Sequence, residues 1–254
     1  MKDEIFTDKQ FKNSDLHKDD TAAFAFNSKV AAVFDDMVSR SVPGYLDVQE
    51  LSAKIASKVV SDDSSVYDIG CSTGTSLIKI AQTLDQKKKL SLRNIKLIGI
   101  DSSFDMLQRC KEKLKAYDLI NSIELVEANV SDVNFNIASL IISHYTLQFI
   151  NPELRLEIVK NIKNALNTKG YFIFSEKIRH EINYLDEITT ERYYQFKSSN
   201  GYSEIENIRK RKALENVLIP YSLDENLVML KKAGFSKIEI LHKEHCFVSM
   251  IAQV

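Results

Sequence analysis

Val66–Gly74 reads VYDIGCSTG, and its reading decides the fold. A short apolar run ends in an acid, Asp68, and a glycine-containing turn follows from Gly70 to Gly74. Next come apolar residues at Leu77, Ile78, Ile80, Ala81 and Leu84, the spacing of one helix face. The order is strand, tight turn, helix. Glycine lets a ligand approach the backbone of the turn, because no side chain blocks it. Free amides at the helix start can face polar ligand groups. A second strand, Lys96–Ile100, ends in another acid, Asp101. An acid at that place is where the hydroxyls of a nucleoside ribose are usually held. The two strand ends together predict a nucleoside-containing ligand on an α/β sheet.

Working outward, residues 1–21 are polar and expected to be frayed. Residues 22–254 are expected to form a single domain. Phe24–Arg40 carries apolar residues at helical spacing, and Pro43 and Gly44 break it. A second helix is predicted over Leu46–Val59. Both precede the first strand, so they can cap the ligand crevice. Downstream, strands at Ser65–Ile69, Lys96–Ile100, Ile123–Glu127, Leu140–Ser143 and Tyr171–Ser175 alternate with helices at Thr73–Leu84, Phe104–Ala116 and Pro152–Leu166. Such alternation implies a parallel sheet. Residues 183–217 read as two helices inserted after the fifth strand. Asp224–Ala233 is a further helix closed by Gly234, and Ile238–Leu241 with Cys246–Ala252 forms a final hairpin. The expectation is a Rossmann-like α/β fold, a mixed seven-stranded sheet with helices on both faces.

Bulk properties narrow the function. The chain has 254 residues, enough for one large α/β core. Lys plus Arg is 34 against 35 for Asp plus Glu, a formal charge of −1, which lacks the basic excess of a nucleic-acid binder. The basic run Lys87–Lys89 reads as a solvated loop. Cys71, Cys110 and Cys246 stand at no metal-ligand spacing and read as reduced thiols, so no metal is expected. The polar N-terminus has no apolar core of a signal peptide, and no run approaches a membrane span. A cytoplasmic protein is expected.

The turn also bears on the ligand. Against the dinucleotide pattern G-x-G-x-x-G, this chain has Gly70-Cys71-Ser72-Thr73-Gly74, with Ser72 where the second glycine would stand. That disfavours a pyrophosphate and a nicotinamide-dependent dehydrogenase. S-adenosylmethionine needs a turn beside its methionyl portion and an acid for its ribose, and both are present. Asp68 has two readings: it orders the site around the ligand's ammonium, or it caps the turn.

Further segments carry a resemblance. They are FDDMVSRSVPGY (Phe34–Tyr45), VYDIGCSTG, IGIDSSFDMLQRC (Ile98–Cys110), YTLQFI (Tyr145–Ile150), FSEK (Phe174–Lys177), NGYSE (Asn200–Glu204) and KRKALENV (Lys210–Val217). With them the chain, from about Phe26 to its C-terminus, resembles the carboxy-S-adenosyl-L-methionine synthases, which have the class I methyltransferase fold. The resemblance implies that the methyl group of S-adenosylmethionine is carboxylated rather than transferred. Prephenate would lose its carboxylate, giving phenylpyruvate and water, and the carbon dioxide unit would end on the sulfonium methyl. The product, carboxy-S-adenosyl-L-methionine, would serve a partner enzyme that carboxymethylates hydroxyuridine at the tRNA wobble position. The chain itself need not touch tRNA, and a homodimer is implied.

The resemblance also implies site residues. Tyr45 would reach the ligand from the cap. Gly70, Cys71 and Ser72 would line the methionine portion, Asp101 and Ser102 the ribose, and Asn129 and Val130 the adenine. His144 would face the sulfonium region as a ligand contact, not as a general base. Arg211 would hold a carboxylate through its planar fork. Without the resemblance, Arg209–Lys212 reads as a solvated helix face. The family usually has an acid at Asn129, and asparagine at His144 and Ser102. Two rivals stay open: a conventional methyltransferase with another acceptor, and a non-enzymatic protein that binds S-adenosylmethionine.

Overall fold

The computed structural model describes residues 24–86 and 94–254. The frayed segment expected over 1–21 and the loop expected at Lys87–Lys89 lie outside the described residues. Two helices come first, α1 (Ser28–Ser41) and α2 (Tyr45–Val59). The alternating core follows: β1 (Ser65–Ile69), α3 (Thr75–Gln86), β2 (Lys96–Asp101), α4 (Phe104–Ala116), β3 (Ile123–Glu127), β4 (Ala138–His144), α5 (Pro152–Ala165) and β5 (Leu166–Arg179). Then come α6 (Asn183–Ser199), α7 (Glu204–Leu214), β6 (Tyr221–Ser222), α8 (Leu223–Ala233), β7 (Lys237–Glu244) and β8 (Phe247–Gln253).

The main sheet path is β3-β2-β1-β4-β5-β8-β7, with the two-residue β6 pairing beside β5. Strands β1 to β5 run parallel, and β8 is antiparallel to both β5 and β7. The strand order changes direction at β1, which has β2 on one side and β4 on the other. That switch point opens a crevice at the carboxyl ends of the strands, and it is where ligands bind in open α/β sheets.

Side chains alternate across the sheet with the period of two that a strand dictates. Tyr67, Ile98, Ile141, Phe172 and Phe174 pack toward α5 and α8 with Ile158, Val159, Ile162 and Leu230. Val66, Leu97, Leu140, Ile142 and Ile173 pack the other way, with Ala53, Leu77, Ile80, Leu84 and Leu114 from α2, α3 and α4. A buried parallel sheet needs both layers, and the near-continuous apolar runs reflect it. The strand β5 runs past the expected Tyr171–Ser175, because β4 and β8 pair with it on its two sides. The turn expected at Gly170 is absorbed there as a register shift between Ala138 and Leu140.

Candidate active site

A cleft of about 420 Å³ lies at the carboxyl ends of β1, β2 and β4. Its floor is the turn after β1. Gly70 (φ 68°), Ser72 (φ 51°) and Gly74 (φ 78°) are all left-handed. A Cβ on Gly70 would collide with Thr146 Oγ1, and one on Gly74 with Cys110 Sγ. The turn therefore needs glycine at both places for packing as well as for φ. Ser72 adopts the strained region without that freedom, at a residue that lines the cleft.

Asp101 organises this floor. One carboxylate oxygen accepts from Ser72 N at 2.9 Å, the other from Ser103 N at 2.8 Å. Burial raises its pKa, while these amide bonds act in the opposite direction. Each carboxylate oxygen has a further lone pair, and Asp101 lines the cleft beside Ser102. Asn129 and Val130 line it beyond the end of β3. Asn129 begins a short 3-10 turn, Val130–Asp132, without capping it through its side chain.

Asp68 is 2% exposed and lines the cleft. Burial, then the charge of Asp101, pushes its carboxyl up to about 8. Among the described residues no hydrogen bond reaches its side chain, so capping of the turn falls to Asp101 instead. Gln49, 2% exposed on α2, also lines the cleft, and its Oε1 has no hydrogen-bond partner. Asp68, once ionised, and the orphaned amide oxygen are acceptors for an ammonium group. The acceptor set therefore fits the amino-acid tail of S-adenosylmethionine, as the Asp101 lone pairs fit its ribose.

Cys71 lines the floor but is buried, and its backbone N donates to Ile100 O at 3.0 Å. A hydrogen bond with Cys110, followed by burial, holds its thiol well above the ordinary value. A thiol in that state is no nucleophile. Tyr45, the first residue of α2, is 9% exposed and faces the cleft, where burial and then the charge of Asp35 keep its phenol protonated.

His144 lines the cleft at the end of β4. Its Nε2 lies 3.1 Å from Ser52 Oγ and its Nδ1 2.8 Å from Ser175 Oγ. Ser52 Oγ already donates to Val48 O at 2.9 Å, so it accepts from an Nε2–H. Nδ1 then accepts from Ser175. Burial pushes the imidazole down to about 4. The ring is neutral, with both nitrogens engaged, so it shapes the cleft wall and takes no proton. Next to it Tyr145 is held at φ 60°, tilted against Tyr45 (6.2 Å) and in edge-to-face contact with Phe247 (5.9 Å).

The cap is anchored by a network that the sequence did not reveal. Asp35 on α1 accepts from Thr73 Oγ1 (2.7 Å) and Thr75 Oγ1 (2.9 Å), and pairs with Lys113 of α4 at 2.7 Å. Partial burial raises the Asp35 carboxyl, but Lys113 and the threonines outweigh it and leave it below its ordinary value. Glu176 is a second residue that sequence reasoning missed. It is 3% exposed and accepts from Leu147 N (3.0 Å) and Gln148 N (2.8 Å), which holds the YTLQF turn in place. Its signal lay in FSEK, with no feature of the segment telling what it binds.

Arg211 differs from the expectation. It is exposed on α7 and lies outside the residues that line the cleft. The cation that reaches the cleft from this helix is its neighbour Lys210. Consecutive helical residues point about 100° apart, so one of the two faces inward and the other turns aside. The other expected residues, Tyr45, Gly70, Cys71, Ser72, Asp101, Ser102, Asn129, Val130 and His144, all line one cleft. Among the described residues no group of His, Cys, Asp and Glu is placed to hold a metal ion. No helix among them is long and apolar enough to cross a membrane.

Comparison with known proteins accords with this geometry. The family described as a methyltransferase domain matches residues 66–170, which run from β1 to the start of β5. A structure of an S-adenosylmethionine-dependent methyltransferase from Aquifex aeolicus superposes with a TM-score of 0.55 at 15% identity, over 90% of this chain and 98% of that one, and this shows the fold. A carboxy-S-adenosyl-L-methionine synthase of Sulfurimonas denitrificans is 43% identical over 252 residues, 99% of both chains. One from Campylobacter jejuni is 42% identical over 252 residues, again 99% of both. Relatedness of that degree over the whole length, with the cleft residues gathered at the switch point of the sheet, means that the chain belongs to the carboxy-S-adenosyl-L-methionine synthase family.

Proposed function

We propose that the chain converts S-adenosyl-L-methionine and prephenate to carboxy-S-adenosyl-L-methionine, phenylpyruvate and water. Prephenate releases carbon dioxide and its ring hydroxyl as hydroxide. The hydroxide takes a proton from the sulfonium methyl to form water, and the resulting carbanion bonds to the carbon dioxide. The observation that carries this reading is a half-buried lysine, Lys210, lining the same cleft as Asp101 and the Gly70–Ser72 turn. A site for methyl transfer gains nothing from a cation near an already positive sulfonium. A carboxylate-bearing second substrate gains an ion pair.

The aromatic wall of Tyr145, Tyr193 and Phe247 suits the carbon ring of such a substrate and keeps water out. Arg211 enters the proposal with a homodimer. Exposed on α7, it reaches a cleft only if α7 turns or a second copy supplies it. Exposed Ile182, Tyr184, Ile205 and Ile208 around α6 and α7 support such a pairing. A cytoplasmic location and delivery of the product to a tRNA carboxymethyltransferase, without binding of nucleic acid by this chain, complete the reading.

The test is mass spectrometry of the small molecule that co-purifies with the protein, followed by an assay of prephenate conversion with S-adenosylmethionine present. A carboxylated S-adenosylmethionine and the formation of phenylpyruvate are expected. Methylation of another acceptor by protein inert toward prephenate would instead identify a conventional methyltransferase.

A further inference from the structure

Three lysines converge on one wall of the cleft. Lys210 of α7 and Lys177 of β5 line it directly. Lys197 of α6 stands behind them, 3% exposed, with its ammonium 4.8 Å from the centroid of the Tyr202 ring and 5.6 Å from that of Tyr193. Lys177 Nζ lies 5.2 Å from the centroid of Tyr193. Among the described residues none of the three pairs with a carboxylate: Arg40 nearby is taken by Asp36, and Glu206 closes the capping box of α7. Lys197 is the fully buried one of the three, and lysine is almost never that buried without an anion.

The one side chain with clear hydrogen bonds is incompletely used. Lys210 Nζ donates to Ser41 Oγ at 3.2 Å and to Tyr202 OH at 3.3 Å. Both hydroxyls pass their own protons to Met37 O, so they can only accept from the lysine. An ammonium has three protons, and the third is left for whatever enters the cleft. Burial, then mutual repulsion, depresses the ammonium groups: Lys197 to about 8 under the charge of Lys177, which Glu206 offsets only in part, and Lys210 to about 7 under those of Lys197 and Arg40. Cations crowded at that cost are relieved by an arriving anion.

Building on the prephenate reading, we infer that Lys177, Lys197 and Lys210 form the anchor for the carboxylate that stays on the keto acid, and not for the one that leaves as carbon dioxide. A carboxylate about to depart as a neutral molecule must lose its charge. An ion pair to it would stabilise the ground state more than the transition state and slow the reaction. The retained carboxylate keeps its charge throughout, so an ion pair to it positions the ring without opposing the chemistry. Tyr193 and Phe247, in edge contact at 5.3 Å, line the cleft beside this wall and offer the ring its apolar surface.

Phenylpyruvate tests this directly, because it has the retained carboxylate and lacks the departing one. In Lys210→Met, both the KM for prephenate and the inhibition constant of phenylpyruvate are expected to rise by about ten- to a hundredfold, the loss of one charged hydrogen bond. The dissociation constant of S-adenosylmethionine, measured by calorimetry, should stay within about threefold, and Lys210→Arg should recover part of the loss. Lys177→Met, at a half-buried position, repeats the test should Lys210→Met fold poorly. Unchanged constants in an active, folded variant overturn the inference. So does an equal loss of S-adenosylmethionine binding, which would give the lysines to that ligand's own carboxylate. A higher KM with phenylpyruvate inhibition intact would assign them to the departing carboxylate instead. Wild-type protein that forms no phenylpyruvate overturns the functional reading itself, and this inference with it.

Discussion

Asp101 accepts a hydrogen bond from the backbone amide of Ser72 at 2.9 Å, so the end of β2 pins the turn that follows β1. The residue placed to hold a ribose also holds the strained Ser72 beside it at φ 51°. The turn geometry at the cleft floor therefore depends on one carboxylate, the same one expected to meet the ribose.

Replacing Asp101 by alanine should weaken S-adenosylmethionine binding by about 1.5–3 kcal/mol, the range for losing a hydrogen bond to a charged group. Ser72 N and Ser103 N lose their acceptor as well, so the turn should also melt earlier. Calorimetry that finds unchanged affinity in a folded variant removes Asp101 from the ligand.

Titration of Asp68 sets a pH dependence. Its carboxyl is pushed up to about 8, so the folded, ligand-free chain holds a proton that the unfolded chain has released. That contribution to stability is complete below the ordinary carboxylate value and is lost as pH rises through about 8. A bound ammonium favours the ionised form, so binding expels the proton. Affinity for S-adenosylmethionine should then fall as pH drops below about 8, by up to tenfold per unit. Asp68→Asn should flatten the profile. A wild-type dissociation constant that is level from about pH 6.5 to 8.5 would mean that Asp68 does not meet the ammonium.

The Asp35–Lys113 pair should act on cap and turn together. Lys113 is nearly buried, while the side chain of Asp35 is 42% exposed. Lys113→Met should therefore cost about 1–3 kcal/mol, less than a fully buried pair. The Asp35 carboxyl sits below its ordinary value, so its contribution is present at neutral pH and disappears as pH falls through that lowered value. Denaturant unfolding at neutral pH reads the loss, and a midpoint equal to wild type would show that the network does not stabilise the fold.

Cys71 touches the site through its backbone, with a thiol held protonated by Cys110 and by burial. Cys71→Ser should retain most of the turnover. Complete loss of turnover with ligand binding preserved would demand a thiol-dependent mechanism.

The strands and helices of the core were legible because their signals are local. An apolar run such as Leu140–Ser143 or a Pro152 helix start needs no distant partner to declare itself. The glycine turn and the two acids after successive strands likewise marked the ligand end, since sheet topology brings such positions to one crevice. The limits of β5 were not legible: they depend on β4 and β8, which pair on its two sides.

What the sequence by itself determined is the fold, the family resemblance and the residues that gather around the turn after β1. What only the tertiary structure decided is which charges face inward. Arg209–Lys212 is an unbroken run of cations, and nothing in it separates Lys210 from Arg211. The angle at which α7 docks beside α6 does, bringing Lys210 to Ser41 and Tyr202 and leaving Arg211 exposed. His144 is a second case, since its neutral tautomer depends on Ser52 and Ser175, which are 92 and 31 residues away. Local spacing dictates the face of a helix or strand. Burial, protonation and pairing are properties of the surroundings, and folding brings those surroundings from distant parts of the chain.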